Sequence, residues 1–336
     1  MKTHLRQVMS LPHLNGGEDA QTDTSSGLGI ICGALGAALF SLKAILVKLA
    51  FLPAEGLAAN ELPVITLITL RMGFAFPVYI GILWWVLRKA ETLPNRRQIG
   101  LAMASGTMAY YGCAMLDFSG LQYITAQLER LLLFTYPAFV ILFGALFFGG
   151  KITRWALAAM ALAYGGLAIV FAGGEITASS NLWLGSGLII ACAILFALFQ
   201  LIAKQFIDKM GPSLFTCLAM IGGASAIFVH FIISAFMGPD GIGHAFDWPP
   251  RIYAIAAIIA VFSTLLPSFL INYAMGKIGA QNVAMLGMVG PLVTIVAAIF
   301  VLGEPFGVWD AIGTLVTLSG IALYLFADRF KVRKLE

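Results

Sequence analysis

The sequence predicts an all-α polytopic membrane protein whose ten transmembrane helices form two inverted repeats of five helices each. Three observations lead to this prediction. Hydrophobic residues occupy 60% of the 336 positions, charged residues occupy 11%, and the mean hydropathy is +0.94, whereas charged residues make up about 25% of an average soluble domain. One hydrophobic segment occurs twice in the chain, and Lys and Arg collect in alternate loops. The composition excludes a soluble domain.

Ten apolar runs are each long enough to cross a hydrocarbon core of about 30 Å as an α-helix. They contain interior Gly and Pro and lack the period-two alternation of a transmembrane β-strand, which excludes a β-barrel. The predicted spans 1 to 10 are residues 27–49, 62–87, 98–117, 124–148, 152–171, 183–205, 212–236, 252–275, 280–302 and 307–327.

The duplicated segment comprises residues 126–171 and 280–325, which align at a constant offset of 154 positions. Nine of the 46 aligned positions are identical, and many of the identities fall on residues that do not replace one another freely. They include Pro137/Pro291, Gly149/Gly303 and Trp155/Trp309. Because five is an odd number of spans, the two halves enter the membrane with opposite polarity, an architecture typical of secondary transporters.

A second match, between residues 39–48 and 195–204 at an offset of 156, extends the similarity to the start of each half. The polar first 26 residues contain no apolar run, so we interpret them as a flexible tail rather than as a signal peptide. The predicted parts are a cytoplasmic tail (1–26), repeat 1 (27–173), repeat 2 (183–327) and a basic cytoplasmic tail (328–336).

The distribution of Lys and Arg predicts the orientation. With a cytoplasmic N-terminus, the two tails and the cytoplasmic loops contain fifteen Lys and Arg residues, whereas the opposite loops contain only Arg251. Cytoplasmic loops carry the excess of basic residues, so we predict that both termini are cytoplasmic in a plasma membrane, the inner membrane of a bacterium. The net charge of +4 then reflects topology and not nucleic-acid binding.

Apart from the residues assigned to loops, six charged residues lie within predicted spans or at their edges. They are Lys43, Lys48, Arg71, Asp117, Glu129 and Arg130. A charge at the centre of the membrane costs roughly 2.5 to 3.5 kcal/mol on insertion scales. We therefore expect these side chains to face the interior of the bundle or a hydrated cavity, except that Lys48, near a helix end, is expected to reach the interface.

The predicted topology places the buried charges in one layer, with two open interpretations. Neighbours on a helix point about 100° apart, so Glu129 and Arg130 are expected to need separate partners: Asp117 for Arg130, and Lys43 or Arg71 for Glu129. In one interpretation these pairs are a permanent network that fixes helix packing. In the other, the surplus positive charge binds an anionic group of a substrate.

The second repeat offers hydrogen-bonding groups in place of charges. Gln127 and Gln281 occupy equivalent positions in the two repeats and are predicted to hydrogen-bond to a substrate from symmetric places. Pro137 and Pro291 fall within spans 4 and 9, where the missing N–H bends a helix. Equivalent breaks in two repeats indicate hinges near a binding site, although a simple packing kink is the alternative.

Several stretches resemble the EamA-type branch of the drug/metabolite transporter superfamily. They are TLRMGFAFP in span 2, LDFSGLQYITAQLERL from residue 116, and GPLVTIVAAIFVLGEP from residue 290. The resemblance implies a central cavity lined by both repeats, alternating access, and export or uptake of small metabolites. The chain departs from the family pattern at Gly150, where the acid that Glu304 supplies in the second repeat is missing.

We therefore predict a secondary transporter of a small anionic or zwitterionic metabolite, such as an amino acid or related organic acid. Lys43, Arg71 and Arg130 would hold a carboxylate, and Asp117 or Glu129 would carry a coupling proton. The alternative is an integral membrane enzyme acting on a lipid-linked substrate; a channel ranks third. The four Cys residues form no CxxC or Cys/His pair, so we predict no catalytic residues, metal site or cofactor.

Overall fold

In a computed structural model of the chain, the residues with assigned secondary structure form helices and turns, and no strand occurs among the residues described. The structure describes residues 18–53, 58, 61–89, 94–148, 157–158, 161–162, 164–166, 168–169, 181–237, 246–287, 289–304 and 306–332. This confirms the all-helical class.

The first half contains six described helices, and a π-helical segment, Thr107–Cys113, joins the third to the fourth. They are α1 (Glu18–Phe51), α2 (Val64–Lys89), α3 (Arg96–Gly106), α4 (Ala114–Leu121), α5 (Ala126–Leu133) and α6 (Tyr136–Phe148). In the second half, π-helical segments follow α9 and α11. The helices there are α7 (Leu182–Met210), α8 (Pro212–Met237), α9 (Pro250–Ala260), α10 (Leu266–Leu286), α11 (Val289–Ala297) and α12 (Val308–Val332).

Seven continuous helical segments of the described chain are long and apolar enough to cross a membrane. They correspond to predicted spans 1 to 4 and 6 to 8. A shorter apolar helix, Val293–Leu302, lies within span 9, and α12 covers span 10. Most of span 5 lies outside the described residues. The protein is therefore a multi-pass helical membrane protein.

Two helices extend beyond the predicted membrane spans. Helix α1 begins at Glu18 and not at residue 27, and α12 continues to Val332, past the predicted end at residue 327. Both helices therefore extend into the segments predicted as tails. Adding residues to an existing helix costs far less than starting one, so a membrane helix can continue into its polar flanks.

Spans 4 and 9 are each interrupted close to a proline. Helix α5 ends at Leu133 and α6 begins at Tyr136, and Gly287 is a turn residue between α10 and α11. Leu133 and Gly287 are the residues four positions before Pro137 and Pro291, to whose carbonyls these prolines cannot donate a hydrogen bond. The missing donors account for the positions of both interruptions. The role of the two prolines as hinges stays a prediction.

The two halves of the chain pack closely together. Helix α1 lies against α10 and α11, and α2 lies against α8. Glycines allow the closest crossings: a Cβ added at Gly106 would lie 1.8 Å from the Ala219 carbonyl oxygen, and one at Gly222 would lie 2.3 Å from that of Met103. Small residues at such crossings let helix backbones approach.

The distribution of polarity is the reverse of that in a water-soluble protein. Large apolar side chains such as Phe300 and Leu146 are exposed, while Lys43, Asp117 and Glu129 are buried. Lipid can surround exposed apolar side chains, but a charge facing lipid would be costly. The interior of the bundle is therefore where the chain concentrates its polar chemistry.

Candidate functional site

Three neighbouring cavities lie in the interior and share the rings of Phe40 and Phe196 as walls. Their volumes, counted as the space open to the centres of water-sized spheres, are about 70, 80 and 50 Å³, several times the roughly 10–15 Å³ that one water molecule needs. The first, the charged cavity, is lined by Lys43, Arg71 and Asp117 among others. The second, the aromatic cavity, is lined by Arg71 and by groups from α1, α7, α8, α10 and two of the π-helical segments. The third contains Arg130.

Lys43 and Asp117 form a buried ion pair that joins α1 to α4. The side chains are 7% and 1% exposed. The ring of Phe40, one turn before Lys43, lies 4.9 Å from its Nζ. The prediction that Asp117 pairs with Arg130 is wrong, because α1 brings the Lys43 amine to this carboxylate first. This contact joins two helices, as expected of a network that fixes packing.

Glu129 is fully buried on α5. Neither carboxylate oxygen has a hydrogen-bond donor among the described residues, and the group lies near the carboxyl group of Asp117. Its Oε2 lies 3.8 Å from Nε of Arg130. The expectation that these neighbours require wholly separate partners is therefore wrong, because long side chains can converge although their Cβ atoms point apart.

Arg130 connects α5 to two other helices. Its Nε donates to Oγ1 of Thr294 at 3.1 Å, and one terminal nitrogen donates to the carbonyl oxygen of Ser41 at 3.2 Å. Thr294 Oγ1 also donates to the same Ser41 carbonyl at 3.1 Å. Arg130 thus has protein partners from both repeats, and its guanidinium is held in one position.

Arg71 differs from the other buried cations. It is 6% exposed, its Nε has no hydrogen-bond partner among the described residues, and the ion pairs found in that part of the chain do not include it. Its guanidinium carbon lies 5.2 Å from the ring centroid of Phe118. Arg71 lines both the charged and the aromatic cavities, so its open donors adjoin empty space.

Neutral polar groups from the second half line the aromatic cavity opposite Arg71. Ser268 Oγ lies 2.9 Å from the hydroxyl of Tyr79, and Nδ2 of Asn272 donates to Thr216 Oγ1 at 2.7 Å. Two other groups remain available: Thr264 Oγ1 and Gln200 Oε1 are buried without a hydrogen-bond partner among the described residues. The cavity therefore offers a cation at one wall and neutral hydrogen-bonding groups at another.

The two predicted symmetric glutamines are only partly described. Gln127 lies on α5 and is 8% exposed, and its backbone N–H donates to Oε2 of Glu304 at 3.3 Å. Gln281 lies within α10, but its side chain lies outside the part of the structure that is described. Their role in substrate binding stays a prediction.

The sequence interpretation missed the role of Glu304, which it treated as a loop acid. Glu304 follows Gly303, whose positive φ of 63° ends the preceding helical segment, and its carboxylate accepts hydrogen bonds from the N–H groups of Ala126 at 2.8 Å and Gln127 at 3.3 Å. A carboxylate at a helix N-terminus satisfies free N–H groups and the helix dipole. In the sequence, the Gly303-Glu304 pair after an apolar run was the signal that could have indicated this contact.

The rings of Phe40 and Phe196 were also missed. They stack with centroids 6.5 Å apart and planes 9° apart. Their signal was the match between residues 39–48 and 195–204, in which the two phenylalanines are equivalent. Among the many apolar residues of the spans, nothing in a single phenylalanine marks a cavity wall.

Replacing Glu304 with alanine is expected to lower the free energy of unfolding by about 0.5–2 kcal/mol, the range for loss of a helix cap. It should also speed hydrogen exchange at the amides of Ala126 and Gln127, measured by mass spectrometry. Asp310→Ala is the matched control, because Asp310 accepts a hydrogen bond from Gly307 N within its own helix start. Unchanged exchange in Glu304→Ala would contradict the assigned contact.

The fold and the interior cavities define the class: a multi-pass helical membrane protein with a charged, partly open centre. A family model described as the EamA-like transporter family matches the chain twice, over residues 27–172 and 183–326. The chain therefore belongs to the EamA-like transporter family, which confirms the resemblance noted in its sequence and makes it a membrane transporter.

Curated relatives have related names. The chain is 27% identical over 212 residues to uncharacterized transporter YcbK of Bacillus subtilis, covering 63% of this chain and 67% of the relative. It is 26% identical over 241 residues to a probable terminal-alkyne amino-acid exporter of Streptantibioticus cattleyicolor, covering 70% and 74% of the two chains. A crystal structure matches with a TM-score of 0.63 at 13% identity, over 88% of this chain and 97% of that one, a likeness of fold alone.

Proposed function

We propose that the protein is a secondary transporter that moves a small carboxylate-bearing metabolite, anionic or zwitterionic, across the cytoplasmic membrane of a bacterium by alternating access. The observation that carries the proposal is Arg71, a buried cation without an ion-pair or hydrogen-bond partner among the described residues, located between two interior cavities. A substrate carboxylate would supply the missing partner.

The other buried cations do not need a substrate in the same way. Lys43 has Asp117, and Arg130 has Thr294, Ser41 and the more distant carboxylate of Glu129. A buried charge without a partner is strongly destabilising, so its retention at Arg71 calls for an explanation. Arginine also presents several donors in a planar fork that matches a carboxylate, which makes Arg71 the best candidate for the primary anion site.

Inverted repeats give this site two routes of access. Helix α1 packs on α10 and α11, while α7, the first helix of the second half, packs on α4 and α6. The first helix of each half therefore packs against later helices of the other half, as a two-fold axis between the halves requires. The stacking of the equivalent Phe40 and Phe196, close to such an axis, supports the same arrangement of ten spans. The cavities would then lie between two similar units that can rock against each other.

Glu304 would contribute to closure on one side of the membrane. It ties the loop after span 9 to the start of α5, and the predicted topology assigns both to the external side. The equivalent position in repeat 1 is Gly150, which has no carboxylate to make the corresponding contact with the start of span 9. We therefore propose that the external closure is the more strongly held of the two.

Charge and aromatic residues at the end of α2 support the proposed orientation. The guanidinium of Arg88 lies 3.7 Å from the ring centroid of Trp84, and the Lys89 amine lies 4.0 Å from that of Trp85. Trp residues gather at membrane interfaces and basic residues at the cytoplasmic side. This end of α2 would therefore lie at the cytoplasmic surface, with both termini on the same side.

Asp117 and Glu129 are the proposed carriers of a coupling proton. Their carboxyl groups face one another, and Glu129 has no hydrogen-bond donor among the residues described. One proton held between two carboxyl groups would supply a donor and remove a like-charge repulsion. Its release on one side of the membrane would change the charge next to Lys43 and Arg130, and so the affinity of the neighbouring anion site.

The name of the Streptantibioticus relative includes an amino acid as the exported molecule. An amino acid carries the carboxylate that Arg71 would bind, so this name agrees with the proposed substrate class. At 26% identity it transfers no particular substrate.

Flux measurements in proteoliposomes test the proposal. Proteoliposomes that contain the purified protein are loaded with an unlabelled carboxylate and given the same compound with a label outside. For at least one member of a panel of amino and organic acids, uptake of the label should be saturable and faster than into unloaded vesicles. Chemical conversion of the compound without saturable flux would indicate the enzyme alternative. Flux that is confined to compounds without a carboxylate would contradict the substrate class.

A further inference from the structure

The charged groups that line the cavities distinguish between two kinds of carboxylate substrate, those with an ammonium group and those without one. Resting on the proposed transport function, we propose that the site is built for an apolar, preferably aromatic, monocarboxylate and has no subsite for an ammonium group. A zwitterionic amino acid would then be a poorer ligand than the matching acid without its amine. The inference comes from the positions of aromatic rings and from the absence of an acid among the described lining residues of the aromatic cavity.

Arg71 supplies the only strong anion donor of the aromatic cavity among its described lining residues. Its guanidinium carbon lies 5.2 Å from the ring centroid of Phe118, and its Nε has no hydrogen-bond partner among the described residues, so an N–H donor remains for a planar acceptor. A single arginine fork matches a single carboxylate. Lys43 borders only the charged cavity, where Asp117 occupies it, so a second anionic group on the substrate would find no open cation there.

Aromatic rings form a continuous wall beside Arg71. Phe40 stacks on Phe196 at 6.5 Å, Phe196 stacks on Phe199 at 6.3 Å, and Tyr110 meets Phe199 edge-on at 5.5 Å. All four residues line the aromatic cavity. Rings at these separations offer stacked and edge contacts to a further aromatic group, so the body of the ligand next to the carboxylate is expected to be apolar and flat.

No acid in the described lining of the aromatic cavity could receive an ammonium group. The carboxylate that lines the adjoining charged cavity, Asp117, already binds Lys43 through Oδ2. An added ammonium there would place a second cation beside the Lys43 amine, and like charges at such distances repel strongly in an interior of low dielectric constant. Burying an ammonium without a charged partner is costly.

The neutral groups of the cavity fit a different substituent. Gln200 Oε1 and Thr264 Oγ1 are buried without a hydrogen-bond partner in the described part of the chain, and both line the aromatic cavity. An amide oxygen accepts a hydrogen bond from a hydroxyl or a ring N–H at little cost in desolvation. A single hydroxyl or ring N–H at the edge of an otherwise apolar aromatic body would pair with these atoms.

Four small probes test the inference on the full-length protein in proteoliposomes: propanoate, 3-phenylpropanoate, phenylalanine and 2-phenylethylamine. They differ in whether they carry the ring, the carboxylate and the amine. We expect 3-phenylpropanoate to bind at least about tenfold more tightly than propanoate, because its ring is buried against the aromatic wall. It should also bind more tightly than phenylalanine, and 2-phenylethylamine should not bind. Binding is measured by calorimetry and by inhibition of labelled flux.

Three outcomes would overturn the inference. Phenylalanine binding about tenfold more tightly than 3-phenylpropanoate would reveal an ammonium subsite, yet the proposed transport of carboxylates would stand. Equal binding of propanoate and 3-phenylpropanoate would show that the bound ligand does not contact the aromatic wall. The proposed transport of carboxylates would again stand. Binding of 2-phenylethylamine alone would contradict both the inference and the assignment of Arg71 to a substrate carboxylate.

Discussion

Asp117→Asn is expected to lower the free energy of unfolding by about 3–5 kcal/mol, because it leaves the Lys43 amine buried without its counter-ion. The Asp117 side chain is 1% exposed, so bulk solvent compensates little for the lost partner. The change is measurable by steric trapping in lipid bicelles, or as a lower midpoint of thermal unfolding in detergent. A similar loss is expected for Lys43→Met, which leaves the carboxylate unpaired.

The chain contains a matched control for this experiment. Lys204 and Asp208 also form a Lys–Asp ion pair, but their side chains are 33% and 55% exposed. Exposed pairs contribute about 0–1 kcal/mol, so Asp208→Asn should change stability little. The double variant Lys43→Met/Asp117→Leu should recover part of the loss, since it removes both charges together. Equal effects of Asp117→Asn and Asp208→Asn would contradict the buried pairing.

The membrane class could be predicted from the sequence because each span must satisfy its own backbone hydrogen bonds within the bilayer. Apolar runs therefore mark individual helices without knowledge of their partners. The interruptions of spans 4 and 9 were also foreseeable, since Pro137 and Pro291 each remove one intrahelical donor. The extension of α1 back to Glu18 was not, because polar residues beyond the membrane carry no hydropathy signal.

The buried charges could be identified but not paired. Lys43, Arg71 and Glu129 stood out because membrane insertion makes charged residues rare in spans. Which charges meet depends on how helices pack, and Lys43 and Asp117 are separated by 74 positions. Hydrophobic patterns predict which segments form helices, but do not predict that α1 reaches α4.

Local geometry misled the prediction at Glu129 and Arg130. The angle between neighbouring Cβ directions suggested that the two could not meet, yet Nε and Oε2 lie 3.8 Å apart. Arginine has four side-chain torsions between its backbone and guanidinium, so its head group is not confined to the direction of its Cβ. Direction rules apply more reliably to short side chains.

Removal of the Arg71 guanidinium distinguishes a substrate site from a structural network. Arg71→Met is expected to reduce carboxylate flux by at least about 30-fold, since the loss of a buried partner for a charge costs about 2–5 kcal/mol or more in binding. The variant should not lower thermal stability, because Arg71 has no ion pair or hydrogen bond to lose among the described residues. Arg71→Lys should recover only part of the flux, because an ammonium lacks the planar fork.

Arg130→Met provides the opposite result in the same assays. Arg130 donates to Thr294 and to the Ser41 carbonyl, and its loss also leaves Glu129 without a neighbouring cation. Its replacement should therefore lower the unfolding midpoint, whatever its effect on flux. If Arg71→Met instead lowered the unfolding midpoint as much as Arg130→Met and left flux unchanged, Arg71 would be part of the packing network. The anion site would then have to lie elsewhere in the three cavities, because only a group that is free before substrate binds can gain a partner from it.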